Sequence, residues 1–235
     1  MTRKPFRFKQ FDIYQDKTAM KVGTDGVLLG SWANLQSGSK VLDIGTGTGL
    51  IAMMLAQRFK ESEITAIEID DKAYDQAVEN VLNSKFSNQI QVTKSALQEF
   101  DIDSKFDLIV SNPPFFINNE RVELDSRKTA RQQETLTFED LLFYTSKLLD
   151  LDGCASFVIP FDLESNFLEI AKNLNLFATN ILHIKGNDVV EIKRSLIELR
   201  FNSQETSYNV LVVEEARHQY TQDYINLTKE FYLKM

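Results

Sequence analysis

The chain is 235 residues long, 43% hydrophobic and 26% charged, with a formal net charge of −8; this length can bury one sizeable core, and this polarity excludes a bundle of membrane spans. Its single cysteine, Cys154, excludes an internal disulfide, and with only His183 and His218 beside it no Cys/His metal cage is expected. The negative charge excludes nucleic-acid binding by bulk electrostatics alone, but it is unevenly spread: residues 1–21 hold six Lys and Arg against two Asp, a basic patch on an acidic body.

Met1-Thr2-Arg3-Lys4-Pro5 leads into basic and aromatic residues without the apolar stretch of a signal peptide, so a cytoplasmic location is expected. Phe6, Phe8 and Phe11 then interleave with Arg7 and Lys9, and in an extended strand the rings would line one face and the cations the other. Such a pairing suits RNA, whose bases stack and whose phosphates pair; for the phenylalanines alone, a hairpin lid whose rings join the core is the preferred reading. Residues 19–26, Ala-Met-Lys-Val-Gly-Thr-Asp-Gly, could wrap one end of a cofactor, and the whole segment before Val41 reads as strand and loop.

From Lys40 short apolar runs alternate with amphipathic stretches, the pattern of βαβ units on a mostly parallel sheet. Residues 41–44 form the first strand of that series and residues 49–58, with Leu50, Ile51, Met53, Met54 and Leu55, the first helix. A second strand is expected at 64–69, then a helix capped by Asp71 whose Tyr74, Ala77, Val78 and Val81 face the sheet. Ile90 and Val92 mark a third strand and residues 106–110 a fourth, which delivers Asn112. Little periodicity follows between Pro113 and Leu136, a length that favours a lid over a site; its Arg121, Arg127, Lys128 and Arg131 are balanced by Glu120, Glu123, Asp125 and Glu134, so only a local arginine cluster could grip phosphate. Thr137-Phe138-Glu139-Asp140 resembles a capping box opening a helix to residue 149, and Asp152-Gly153 turns into a fifth strand, with Cys154 in its core, ending at Pro160. A helix over 163–174 precedes two strands, 178–184 and 195–201, that lack a helix between them and can pair as an antiparallel hairpin.

The chemistry concentrates at two strand ends. Asp43-Ile44-Gly45-Thr46-Gly47-Thr48-Gly49 carries a strand through a glycine turn into a helix, where ligand can approach bare backbone. A dinucleotide fingerprint would need glycine at 50, which is Leu50, so NAD is disfavoured. Glu68 ends the second strand, where a carboxylate can accept hydrogen bonds from ribose hydroxyls, and Asp43 is placed to attract a cation. A ribose bearing a cationic amino-acid arm is S-adenosylmethionine.

Asn112-Pro113-Pro114-Phe115 supplies the acceptor side. Two prolines fix φ and remove two N–H donors, which leaves the Pro113 carbonyl free to face a ligand. Together with the Asn112 side-chain oxygen it can accept both hydrogens of a planar amine, while Phe115 offers a face for stacking. Two acceptors favour the rehybridised nitrogen of a methyl-transfer transition state over the flat ground state.

These segments, with Phe6-Arg7-Phe8-Lys9-Gln10-Phe11, Ala19–Gly26 and Ala130-Arg131, resemble the bacterial methyltransferases that modify adenosine N6 in valine tRNA beside the anticodon. The resemblance implies an α/β, class I (Rossmann-like) methyltransferase: a seven-stranded, mostly parallel sheet with helices on both faces and an antiparallel last strand. It implies a single domain over 1–235, with 1–39 a covering extension and 40–235 the catalytic core. S-adenosylmethionine is the implied methyl donor and N6 of adenosine 37 in the anticodon loop of a valine tRNA the acceptor, with no metal or membrane partner and a monomeric enzyme. Asn112, Pro113 and Phe115 are the expected catalytic set; Thr24, Asp25, Asp43, Gly45, Thr46, Gly47, Gly49, Glu68 and Asn112 the cofactor set; Arg7, Lys9 and Arg131 the RNA contacts. After the third strand many such enzymes carry an acidic residue for the cofactor adenine, whereas this chain has Ser95-Ala96-Leu97, which leaves that contact unassigned.

Two other acceptors present the same planar amine: a protein glutamine, and guanine N2 in ribosomal RNA. Glutamine methyltransferases place a helical recognition domain ahead of the catalytic one, for which the segment before Val41 is too short. A catalytically silent RNA-binding module is disfavoured by the intact Asp43, Glu68 and Asn112.

Overall fold

The computed structural model describes residues 4–18, 20–35, 39–101, 103, 105–114 and 136–235. The expected lid, with Phe115 and Arg131, lies outside them.

The aromatic segment at the start is a hairpin: β1 (Phe6–Arg7) pairs antiparallel with β2 (Asp12–Ile13). Phe8 and Phe11 stack with ring centroids 4.8 Å apart and are 3% and 6% exposed, so these rings do join the core. Next comes α1 (Thr24–Trp32), in a stretch expected to be strand and loop. Gly26, Val27, Leu28, Leu29, Gly30 and Ser31 are all buried. A helix covered on every side has no polar stripe, so periodicity does not announce it. It packs closely on the following helix: a Cβ on Gly30 would stand 2.7 Å from Met54 Sδ.

The βαβ region follows the sequence pattern. β3 (Lys40–Ile44), α2 (Leu50–Arg58), β4 (Glu63–Glu68), α3 (Asp71–Leu82), β5 (Ile90–Lys94) and β6 (Phe106–Ser111) alternate. α4 (Phe138–Leu148) is capped by the Thr137 hydroxyl oxygen, which accepts from the Asp140 N–H at 3.1 Å, and leads to β7 (Leu149–Pro160). Then come α5 (Glu164–Asn173), β8 (Phe177–Lys185), β9 (Arg194–Arg200), β10 (Ser207–Val212), a small pair of β11 (Glu214–Ala216) and β12 (Gln219–Tyr220), and α6 (Gln222–Thr228).

One sheet runs in the order β10-β8-β9-β7-β6-β3-β4-β5. β9 is antiparallel to both β7 and β8, as the missing crossover helix required, and the other pairings are parallel. The sheet has eight strands, one more than the seven expected. The addition is β10 at the edge, whose Tyr208 and Val210 are 61% and 55% exposed, so it lacks the continuous apolar run of an inner parallel strand. Alternate side chains of β3 enter opposite clusters. Val41 joins α1, α2 and the hairpin rings; Leu42 and Ile44 join α4 and α5.

Three local expectations need correction. Asp70, not Asp71, caps α3, its carboxylate accepting from the Ala73 N–H at 2.8 Å. The buried stripe of α3 is Ala73, Gln76, Ala77, Asn80 and Val81, rotated away from Tyr74 and Val78 by two polar residues that bond to backbone elsewhere. Asp152-Gly153 lies inside β7 rather than before it, in a bulge between the register pairs Phe106↔Leu149 and Leu108↔Cys154. Gly153 suits that bulge because a Cβ there would stand 3.0 Å from the carbonyl oxygens of Phe106 and Asp107. Cys154 is 1% exposed, and burial pushes its thiol up to about 12, so it is core.

Candidate active site

In a parallel sheet, ligand sits beyond the carboxyl ends of the strands. The register fixes what meets there. Ile44 pairs with Ser111 on one side and with Ile67 on the other. One residue further along each strand, Asn112, Gly45 and Glu68 stand level across β6, β3 and β4, neighbouring strands being about 4.8 Å apart. The Ser111 hydroxyl donates to the Ile44 carbonyl at 2.8 Å and ties this row together.

The glycine turn after β3 is held from β4. The N–H groups of Gly45 and Thr46 donate to the Ile67 carbonyl at 2.9 and 3.0 Å, and the Gly47 N–H donates to Glu68 Oε2 at 2.9 Å. Gly45 and Gly47 have φ of 69° and 60°, and a Cβ on either would meet nothing within 4 Å, so these backbones face open space. Glu68 Oε1 accepts from the N–H groups of Ile69 and Asp70, both at 2.9 Å. A carboxylate has about four acceptor positions. Three are occupied by backbone, so Glu68 orders the turn and keeps about one acceptor position.

Asp43 is fully buried. Its Oδ2 accepts from the Thr46 hydroxyl at 2.6 Å and from the Ala52 N–H at 3.1 Å, while Oδ1 has no partner among the described residues. Burial pushes its carboxyl up to about 7; the Thr46 and Ala52 hydrogen bonds oppose this, and the charge of Glu68 adds to it. The buried carboxylate thus ties the glycine turn to the start of α2 and keeps one oxygen without a partner among the described residues.

Beside this row lies a narrow slot lined by Ile44, Ile67, Ile69, Ala96 and Leu97, with Glu68 at its rim. Ile69 is 50% exposed, and the Ser95 N–H donates to the Glu68 carbonyl at 3.1 Å, which fixes the segment after β5 against β4. The segment after the third strand, whose adenine contact the sequence leaves unassigned, lines this slot with Ser95, Ala96, Leu97 and Gln98.

The remaining expected residues divide. Thr24 and Asp25 open α1, and Gly26 packs toward Leu50 at the start of α2, which brings this turn to the glycine loop. Asp25 is already engaged, its carboxylate accepting from Arg194 Nε at 2.8 Å. Arg7 lies exposed, 3.7 Å from Asp12. Lys9 instead turns back on the chain, its ammonium donating to the Lys229 carbonyl at the end of α6 at 2.5 Å. Asn112 is half-buried, Pro113 buried and Pro114 exposed.

Sequence reasoning missed Asn80. Its Oδ1 accepts from the Tyr14 N–H at 2.9 Å, and its Nδ2 donates to the carbonyls of Tyr14 at 2.8 Å and Thr48 at 2.9 Å. One buried amide thus joins the N-terminal segment to the glycine turn. Gln76 assists, accepting from the Lys17 N–H at 3.1 Å, and Lys17 pairs with Glu79 at 2.9 Å. The signal was present as Gln and Asn four residues apart on a stripe otherwise apolar.

Comparison with known proteins places this site in a lineage. Residues 19–137 match the family described as Methyltransferase small domain. A tRNA1(Val) (adenine(37)-N6)-methyltransferase of Flavobacterium psychrophilum is 45% identical over 98% of this chain and 100% of its own length. Proteins of the same name from Flavobacterium johnsoniae and Trichodesmium erythraeum are 47% and 45% identical, covering 98% and 97% of the chain and 100% and 98% of their own lengths. Among solved structures, a predicted O-methyltransferase of Agrobacterium tumefaciens aligns with a TM-score of 0.69 at 17% identity, over 88% of this chain and 96% of that one. TYW2 of P. horikoshii, in complex with MeSAdo, aligns at 0.57 and 15% identity over 81% of this chain and 67% of its own. These last two share the fold alone; the full-length identities go further, and by them the chain belongs to the tRNA1(Val) (adenine(37)-N6)-methyltransferase family.

Proposed function

We propose that the protein transfers a methyl group from S-adenosylmethionine to N6 of adenosine 37 in the anticodon loop of a valine tRNA, acting as a cytoplasmic monomer. The observation that carries this reading is the row Glu68, Gly45, Asn112, which sets a ribose acceptor, a bare backbone cradle and an amine acceptor side by side.

The residues present fit the donor. Open space against Gly45 and Gly47, the bare buried Oδ1 of Asp43 and the aliphatic slot at Ile69 and Leu97 match a ribose, a cationic arm and a purine. When bound, S-adenosylmethionine supplies an electrophilic methyl on a sulfonium. Asp43 would supply the negative charge that the cationic arm needs, the remaining acceptor position of Glu68 would take a ribose hydroxyl, and Ile69 would offer an apolar surface to the base. Thr24 and Asp25 close the site from the start of α1.

On the acceptor side, Asn112 Oδ1 and the Pro113 carbonyl receive the two hydrogens of the adenine amine and orient its lone pair toward the methyl. Phe115 stacks on the ring. The two hydrogen bonds to Asn112 and Pro113 strengthen as the donor nitrogen becomes positive, so they stabilise the transition state more than the ground state. The proton leaves after the methyl arrives, so no general base is required beforehand. Arg7 and Arg131 contribute phosphate contacts, and the 1–39 extension, fastened through Asn80, covers the 40–235 core.

The deciding assay mixes purified protein with methyl-labelled S-adenosylmethionine and either unmodified tRNA or release-factor protein, then identifies the labelled product. N6-methyladenosine in valine tRNA is expected. Label on protein alone, or on guanine N2, would overturn the reading.

A further inference from the structure

The generic methyltransferase match ends at residue 137, yet relatives that share one tRNA name align along the whole chain. Recognition of a particular RNA therefore has room in the flanking parts, and these meet in one place. Phe6 and Arg7 of β1 face residues 213–235 across a groove of about 580 Å³, with Val22, Gly23 and Thr24 as its floor toward α1. That volume lies within the range of small-ligand sites, about 300–1,000 Å³.

The groove opens on the catalytic side of the sheet. β10 runs parallel to β8, and β8 and β7 are both antiparallel to β9, so the end of β10 at Val212 lies on the same edge as the ends of β3 and β6. Val213 and Glu214, which follow it, line the groove. Thr24, on the floor, begins the helix whose Gly26 packs toward Leu50 beside the glycine turn.

Its walls are rings. Tyr220 and Tyr224 lie 5.1 Å apart, Phe6 and Tyr232 6.3 Å apart, and the Tyr224 and Tyr232 hydroxyls meet at 3.4 Å. Tyr224 is the buried base of the cluster, whereas Tyr220 is 37% exposed. Arg7 and Lys234 give the groove two cations against one carboxylate, Glu214, in a chain of charge −8. The exposed contact of Arg7 with Asp12, at 3.7 Å, is one that a phosphate can displace.

We propose that this groove binds a second nucleotide of the substrate tRNA, away from the methylated adenosine, with its base against Tyr220 and its phosphates at Arg7 and Lys234. Tyr232 is backed by Phe8, stacked at 5.8 Å, and Tyr220 by Tyr224, so the exposed part of Tyr220 is the surface left for a base, with cations beside it for the backbone, and stacking tolerates any base. The inference rests on the tRNA reading above.

Its test compares Tyr220→Ala, Tyr220→Phe and Lys234→Gln with wild type, using an unmodified valine tRNA transcript for kinetics and calorimetry for S-adenosylmethionine. Tyr220→Ala should raise KM for tRNA about tenfold, with kcat and cofactor affinity changed by less than about twofold, and Tyr220→Phe should restore KM. Lys234→Gln should reduce the slope of log affinity against log salt by about one. An unchanged KM in Tyr220→Ala overturns the proposal, as does a parallel loss of cofactor affinity, which would make the ring a prop for α1. If wild type methylates no tRNA, the functional reading itself fails; wild-type turnover with an unaffected Tyr220→Ala removes the groove alone.

Discussion

Asp43→Asn separates what the fold tolerates from what the cofactor needs. Asp43 is fully buried with its carboxyl pushed up to about 7, against 3.8 for an exposed aspartate. Across that window the folded chain holds a proton the unfolded chain has lost, so stability falls as pH rises from about 4 to 7. At about 1.4 kcal/mol per pH unit, the buried charge costs about 4 kcal/mol at pH 8 and under about 2 kcal/mol at pH 5. In the variant, the amide oxygen takes over the acceptor role toward Thr46 and Ala52, and the amide NH2 occupies the position of Oδ1, which has no partner among the described residues. An unsatisfied donor costs about 1–3 kcal/mol. Asp43→Asn without cofactor should therefore be more stable than wild type by about 1–3 kcal/mol at pH 8, and the gain should vanish at pH 5. Urea unfolding of both proteins at the two pH values measures the difference, and calorimetry should show S-adenosylmethionine binding weakened at least about tenfold, roughly one charge interaction. A stability gap that is the same at both pH values, or a variant less stable at pH 8, would refute the assignment of a desolvated charge.

Asn112→Ala should lower kcat for methyl transfer about 100-fold or more while calorimetry still shows cofactor binding; retained turnover would remove Asn112 from the catalytic set. Asn80→Ala leaves the Tyr14 N–H and the Tyr14 and Thr48 carbonyls without their partner; a stability loss of about 2–4 kcal/mol is expected, with weakened cofactor binding, read by unfolding and calorimetry. Gly47→Ala meets no steric neighbour but must hold φ near 60°, so it should cost about 1–2 kcal/mol in stability and a larger share of cofactor affinity, because its Cβ enters the cradle. Equal affinity in Gly47→Ala and wild type would show that ligand does not approach this backbone.

What could be read from the chain was whatever depends on near neighbours. The β3 turn and the end of β6 carry their chemistry in runs of seven and four residues, and the parallel strands announce themselves as apolar runs because both faces are covered. α1 escaped because it is buried all round, and β10 because an edge strand keeps exposed Tyr208 and Val210 where inner strands are apolar. Gln76 and Asn80 escaped because their partners are Lys17 and Tyr14, 59 and 66 residues away in sequence. Lys9 was read as an outward cation, yet its acceptor is Lys229, 220 residues on. Long-range closure of the two ends is invisible to any window.

That closure bears on how specificity is built. The planar-amine grip proposed for Asn112 and Pro113 is indifferent to whether its nitrogen belongs to adenine, guanine or glutamine, since each presents two hydrogens in a plane. The cofactor row of Gly45 and Glu68 is equally blind to the acceptor. The proposed groove adds a surface that could discriminate, formed where Phe6 and Arg7 meet residues 213–235. The N-terminal segment is fastened to the glycine turn through the three hydrogen bonds of Asn80, and the groove is open to solvent at Arg7 and Tyr220. Because one N-terminal segment serves both, a change at Asn80 should disturb cofactor and RNA together, whereas a change at Tyr220 should disturb RNA alone.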